Sequence, residues 1–179
     1  MNDRANPTSD KPRAPRRVQP SGHADVTVDV DIADVWAVVS DPTLVDEWSH
    51  ECVGVAWMGE CAEAVPGARF RGRNRAGIFR WGRVCEIVDV HPYEIVWRTV
   101  SSARFPDSTE WCIALSPVEG GATRIEQTFK VVRAPRVLSV LYALLIPAHR
   151  DRTEALREDL RRIGEVARQS ATAGQPSLS

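Results

Sequence analysis

Two carboxylates stand inside runs that alternate apolar and polar residues: Glu86, within Val84 to Val90, and Glu110, between Thr109 and Trp111. A carboxyl group carried into an apolar enclosure loses hydration and its pKa rises, which makes it a competent general base for enolisation or dehydration. The competing arrangement is an ion pair with an arginine, Arg98 or Arg124, and the sequence leaves both open. A third polar group comes from ARFRGRNRAGIFRW, where Phe70, Gly72 and Asn74 share one strand face and Arg69, Arg71, Arg73 and Arg75 share the other. With Phe70 inward, the Asn74 amide is inside too and needs a partner, which a ligand carbonyl would supply. The alternative is that Asn74 serves the turn at Ala76-Gly77. The four arginines read as a solvated ladder beside acidic residues, with a phosphate or acidic-partner site as the other reading.

The histidines add little patterned chemistry. His23 falls in the N-terminal tail and His91 precedes Pro92 in a turn, so only His50 and His149 are placed to reach the mouth of a cavity. No Ser/His/Asp or metal-ligand pattern includes them. Cys52, Cys61, Cys85 and Cys112 form no CxxC pair and have no histidine at zinc-ligand spacing, as expected of reduced, buried thiols in a cytoplasmic protein. No GxGxxG, P-loop or GxSxG element is present, so nucleotide binding and serine hydrolysis have no support, and neither cofactor nor metal is expected. Six tryptophans remain, and broad aromatic walls suit flat hydrophobic ligands. Trp81, Trp97 and Trp111 are candidate cavity residues, although a slip of one residue reverses any strand-face assignment.

These residues need elements to position them. The chain has 179 residues with 23 Lys and Arg against 24 Asp and Glu, and so lacks the basic footprint of a nucleic-acid binder. Residues 1–23 and 171–179 read as disordered tails around one domain over 24–170. A strand is predicted from Ala24 to Ile32, then a helix capped by Asp34, a break at Ser40-Asp41-Pro42 and a second short helix ending at Trp48. Six strands follow, about Val53 to Met58, Ala68 to Arg75, Phe79 to Val90, Glu94 to Val100, Ser108 to Leu115 and Thr123 to Val132. Their short turns dictate antiparallel pairing.

A helix is predicted from about Arg136 to Gln169, interrupted at Pro147. From Arg150 on, Thr153, Leu156, Leu160, Ile163 and Ala167 form one apolar stripe. The run RVLSVLYALLIPA, with Tyr142 as its one hydroxyl, suits a cavity lid or a homodimer interface. It is too short for stable membrane insertion. The fold class is α+β: a curved, seven-stranded antiparallel sheet wrapped around a long C-terminal helix, with a cavity between the two.

Three stretches, VTVDVDIADVWAVVSDPTLVDEWS, ARFRGRNRAGIFRW and TEWCIALSPVEGGATRIEQTF, resemble the helix-grip (SRPBCC) superfamily that includes START domains, birch-pollen allergens and the polyketide cyclase/dehydrase and lipid-transport group. Small actinobacterial single-domain proteins of the cyclase type are the nearest resemblance, over about Ala24 to Gln169. The resemblance implies that the two short helices support the terminal helix, with Trp48 at one end of the cavity facing Phe70, Phe79 or Trp81. It implies binding of a hydrophobic small molecule, whether lipid, sterol or polyketide-like. The alternatives are a cyclase, aromatase or dehydratase using the same cavity, and a module that binds a protein partner. The expected ligand-binding residues are Trp48, Phe70, Asn74, Phe79, Trp81, Trp97, Glu110 and Tyr142.

Overall fold

The computed structural model describes residues 18–135 and 151–174. The first strand, β1 (Ser21–Val28), begins upstream of the expected Ala24, so His23 belongs to it rather than to a tail. β1 also ends earlier than expected, because Asp31 rather than Asp34 caps the next helix. Its Oδ1 accepts from the Ala33 N–H at 2.8 Å, and α1 (Ile32–Val39) starts there. Asp34 falls instead in the first turn, where its charge complements the helix dipole.

The break at Ser40-Asp41-Pro42 has a physical origin. Asp41 Oδ1 accepts from both the Thr43 N–H and its hydroxyl, Pro42 opens a 3₁₀ turn (Pro42–Leu44), and the single-turn helix α2 (Val45–Trp48) follows. This delivers Trp48 to the interior, where it is buried.

The remaining strands are β2 (Cys52–Met58), β3 (Arg69–Ala76), β4 (Phe79–His91), β5 (Glu94–Thr99), β6 (Ser108–Val118) and β7 (Ala122–Arg133). They form one seven-stranded antiparallel sheet in the order β1-β7-β6-β5-β4-β3-β2, so the first two strands of the chain occupy opposite edges. Register shifts at Cys52/Val55, Ile87/Asp89 and Ser108/Thr109 are the irregularities by which such a sheet curls.

The terminal helix, α3 (Thr153–Gly174), lies in the concave face. Asp151 Oδ1 accepts from the Thr153 N–H at its start. From Leu156 on, the predicted stripe is its buried face: Leu156, Leu160, Ile163 and Ala167 are each 3% exposed or less, and join Val35 and Val38 of α1 and Ile113 and Ile125 of the sheet in the core, while Thr153, in the first turn, is only half-buried. Glycine at position 164 lets the helix approach β1, because a Cβ there would stand 2.6 Å from Val28 Cγ1. The predicted helix upstream of Pro147, with Tyr142 and His149, lies outside the described residues. No helix among the described residues is long and apolar enough to cross a membrane.

Candidate functional site

Sheet, α2 and α3 border an open-mouthed cavity of about 540 Å³. Its broadest wall is aromatic. The alternation of β5, β6 and β7 points Trp97, Trp111 and Phe129 inward; Trp97 and Trp111 stack at 6.4 Å with 9° between planes, and Phe129 leans on Trp111 at 5.0 Å. Gly22, opposite Phe129 on β1, leaves the room that the ring fills, since any side chain there would meet Phe129 Cε1. Trp48 and Phe70 line the deep end, and Phe79 and Trp81 line the end formed by β4. Asn74 also faces the cavity, and its side-chain amide makes no hydrogen bond to another described residue.

Three sets of polar groups interrupt this lining. On the α3 side, Asp159 is 3% exposed and grips His50 twice: Oδ1 accepts from the backbone N–H at 2.8 Å and Oδ2 from imidazole Nδ1 at 2.6 Å. Glu51 Oε1 lies 3.7 Å from His50 Nε2. Burial alone would pull the imidazole pKa down, but the hydrogen bonds and charges of Asp159 and Glu51 outweigh it and raise the pKa to about 9. At neutral pH His50 is therefore an imidazolium, a proton donor rather than a base.

Beside this pair, the Arg152 guanidinium lies 5.6 Å from the ring centre of Trp111 and 5.8 Å from that of Phe129. Burial pulls Arg152 below its ordinary value, and the charges of Glu51 and Asp159 oppose that. Across the cavity, Arg83 donates to Asp107 Oδ2 at 2.7 Å and to the Asp107 carbonyl at 3.0 Å, and stacks over Phe105 at 5.2 Å. Finally, Trp48 Nε1, Gln127 Oε1 and Asp107 Oδ1 are buried without a hydrogen-bond partner among the described residues, and all three residues line the cavity. Such atoms are costly to enclose, on the order of 1–3 kcal/mol each, unless something else supplies the bond.

The structure thus brings together Trp48, Phe70, Asn74, Phe79, Trp81 and Trp97. It corrects the placement of the two sheet carboxylates. Glu110 accepts from Arg98 Nε at 3.1 Å, Glu86 accepts from Arg69 Nε at 2.7 Å, and neither lines the cavity. The reason is strand parity: with Trp111 inward, its neighbour Glu110 must face outward, and Cys85 and Ile87 do the same to Glu86. His50 was visible as a candidate, but its partner was not. The signal for Asp159 was its position on the apolar stripe of α3, three residues after Leu156 and four before Ile163, where a carboxylate has no packing role.

The four cysteines are free thiols. Cys85 and Cys52 face the cavity, and burial pushes Cys85 up to about 12, too high for a nucleophile. Among the described residues, no group of three or more His, Cys, Asp or Glu is arranged to hold a metal ion.

Comparison with known proteins places this architecture. Zhui aromatase/cyclase from Streptomyces sp. R1128 is 19% identical with a TM-score of 0.66, the match covering 87% of this chain and 98% of that one. A protein from Thermus thermophilus matches at 14% identity and a TM-score of 0.65 over 85% and 99% of the two chains. Norcoclaurine synthase from Thalictrum flavum does so at 13% and 0.62 over 84% and 95%. At these identities the likeness establishes a shared helix-grip fold. No curated protein matches the chain significantly. The profile of one family, described as "Polyketide cyclase / dehydrase and lipid transport", spans residues 19–163, from just before β1 to the middle of α3, and the chain belongs to that family.

Proposed function

We propose that the protein binds a flat, mainly apolar organic molecule with oxygen substituents, of the aromatic polyketide, sterol or lipid kind. The Trp97–Trp111–Phe129 wall carries this reading: three inward rings border a space of about 540 Å³, within the usual range for a ligand of drug-like size. Asn74 and the three unpartnered polar atoms offer donors and acceptors for the ligand's oxygens. The test is native mass spectrometry of protein purified from its own host, followed by titration of the identified compound. Binding should quench tryptophan emission, and Trp111→Ala should weaken it at least tenfold. Unchanged affinity in Trp111→Ala would refute the placement of the ligand on this wall.

A second reading, turnover of that molecule, rests on the His50–Asp159 pair. His50 Nδ1 is engaged by Asp159, which leaves Nε2, near Glu51, to donate a proton to a substrate carbonyl as negative charge develops there. The aromatase/cyclase name of the Streptomyces protein supports this class of chemistry at the level of fold. If it holds, His50→Ala abolishes conversion of the bound compound while its affinity changes less than tenfold. An alanine variant that converts it at the parent rate would leave the binding role alone. A protein-partner module is less well supported, because the titratable groups converge inside a cavity.

A further inference from the structure

The β3–β4 hairpin carries features that neither the fold nor the cavity requires. Its turn is Gly77-Ile78, closed by the Ala76–Phe79 pair, with Gly77 at a φ of 59°. Tight hairpins ordinarily place Asn, Gly, Asp or Ser in such positions. Here the second position is isoleucine, 91% exposed, and the next residue, Phe79, is 41% exposed. Packing gains nothing from Ile78.

The outer face just below the tip is basic. Arg75 stands directly opposite Arg80, so two like charges share a cross-strand pair, an arrangement that destabilises an isolated hairpin. Arg73 follows about 7 Å further down β3. All three are exposed, and none forms an ion pair among the described residues, while Glu86, at the other end of the β3–β4 pairing, is held by Arg69. Arg104, also exposed, borders the cavity with Phe79 and Arg80. In a chain of formal net charge −1, this is a local concentration of positive charge around two protruding apolar residues.

We propose that this hairpin docks the protein on an anionic lipid surface, with Ile78 and Phe79 among the acyl chains and Arg73, Arg75, Arg80 and Arg104 on the headgroup phosphates. A bilayer answers both halves of the pattern at once. Its interface accepts the apolar tip, and its negative surface potential neutralises the Arg75–Arg80 repulsion. An acidic protein would satisfy the arginines but would also need a matching apolar pocket for the tip, whereas a bilayer interface takes the tip without one. Phe79 also borders the cavity, so docking would bring the cavity to the membrane. The proposal does not depend on which molecule the cavity holds, because its readout is attachment of the empty protein.

The test is co-sedimentation of the full chain with vesicles of phosphatidylcholine alone, or of equal parts phosphatidylcholine and phosphatidylglycerol. Binding is expected only to the anionic vesicles and should fall steeply with salt. Ile78→Asp should weaken it at least tenfold, and Arg73→Glu with Arg75→Glu at least as much, at about fivefold per arginine lost. Arg75→Glu should also hold or raise the melting temperature by pairing with Arg80, which separates lost docking from lost folding. Sedimentation equal on both vesicle types, or unaffected by the hairpin variants, overturns the proposal. So does capture of soluble polyglutamate by a protein that ignores vesicles, which would make the arginines a site for an acidic protein.

Discussion

Asp159→Asn removes the charge that keeps His50 protonated while preserving the shape of the side chain and one acceptor. In the folded protein His50 titrates at about 9 against an ordinary value of 6.5, because Asp159 and Glu51 outweigh its burial. The fold thus holds this proton more tightly than the unfolded chain does. Its stabilisation is complete below pH 6.5, declines as pH rises and is gone above about 9. The interval corresponds to about 3 kcal/mol at 1.36 kcal/mol per pH unit. With the imidazole 29% exposed, solvent screening reduces this to roughly 2 kcal/mol. In a chain of this size, that is a shift of about 4–8 °C in Tm. Proton NMR should place the His50 transition of Asp159→Asn roughly 1–3 pH units below the parent's. Urea melts from about pH 6 to pH 10 should show the parent losing stability across a window in which the variant loses much less. Coincident His50 titrations, or parallel pH profiles of stability, would refute the assignment of the pair as the source of the proton affinity.

Leu160, fully enclosed under the sheet, should cost on the order of 2–5 kcal/mol when replaced by Ala, read from denaturant melts at constant m-value. Gly164→Ala, worth about 1 kcal/mol of stabilisation in a free helix, should destabilise here because the new Cβ meets Val28, and Val28→Ala in the same chain should recover much of the loss. Asp107→Ala strands Arg83, whose side chain is 10% exposed, and should lower stability by up to about 3 kcal/mol, with Arg83→Met in the same chain restoring part of it in thermal melts. Glu86→Gln and Glu110→Gln, at solvent-facing pairs, should each change stability by less than about 1 kcal/mol and leave ligand affinity at the parent value by fluorescence titration.

The elements were legible because their signals are local. Alternation in β3, the Asp41-Pro42 break and the three- and four-residue spacing of Leu156, Leu160 and Ile163 are each contained in a few consecutive residues. The aromatic wall was partly legible for the same reason, since Trp97 and Trp111 lie on strands whose period is two. Glu110 was misplaced because adjacent strand residues cannot both face inward, and the choice between them depends on register across several strands. The end of β1 and the start of α1 shifted because two aspartates, Asp31 and Asp34, could each cap the helix, and packing of Val30 into the core decided between them. The His50–Asp159 contact joins residues 109 positions apart, and no local pattern encodes it. Only the odd position of a carboxylate on an apolar stripe hinted that Asp159 had a partner.

The strand order has a consequence for how the chain is made. β1 leaves the ribosome first, yet its hydrogen-bonding neighbour is β7, with Ser21 facing Lys130 at one end of the pairing. Until β7 has emerged, β1 is an unpaired ribbon, and the hairpins from β2 to β6 can zip up before it has a place to go. Closing that long loop carries a large entropic cost, so sheet completion should be slow relative to hairpin formation. Packing of Leu160 and Ile163 must wait longer still, for the last stretch of the chain. A nascent chain stalled with β7 still inside the exit tunnel would therefore hold a formed meander whose β6 edge is bare as well as its β2 edge, and on the ribosome it would be a client for chaperones.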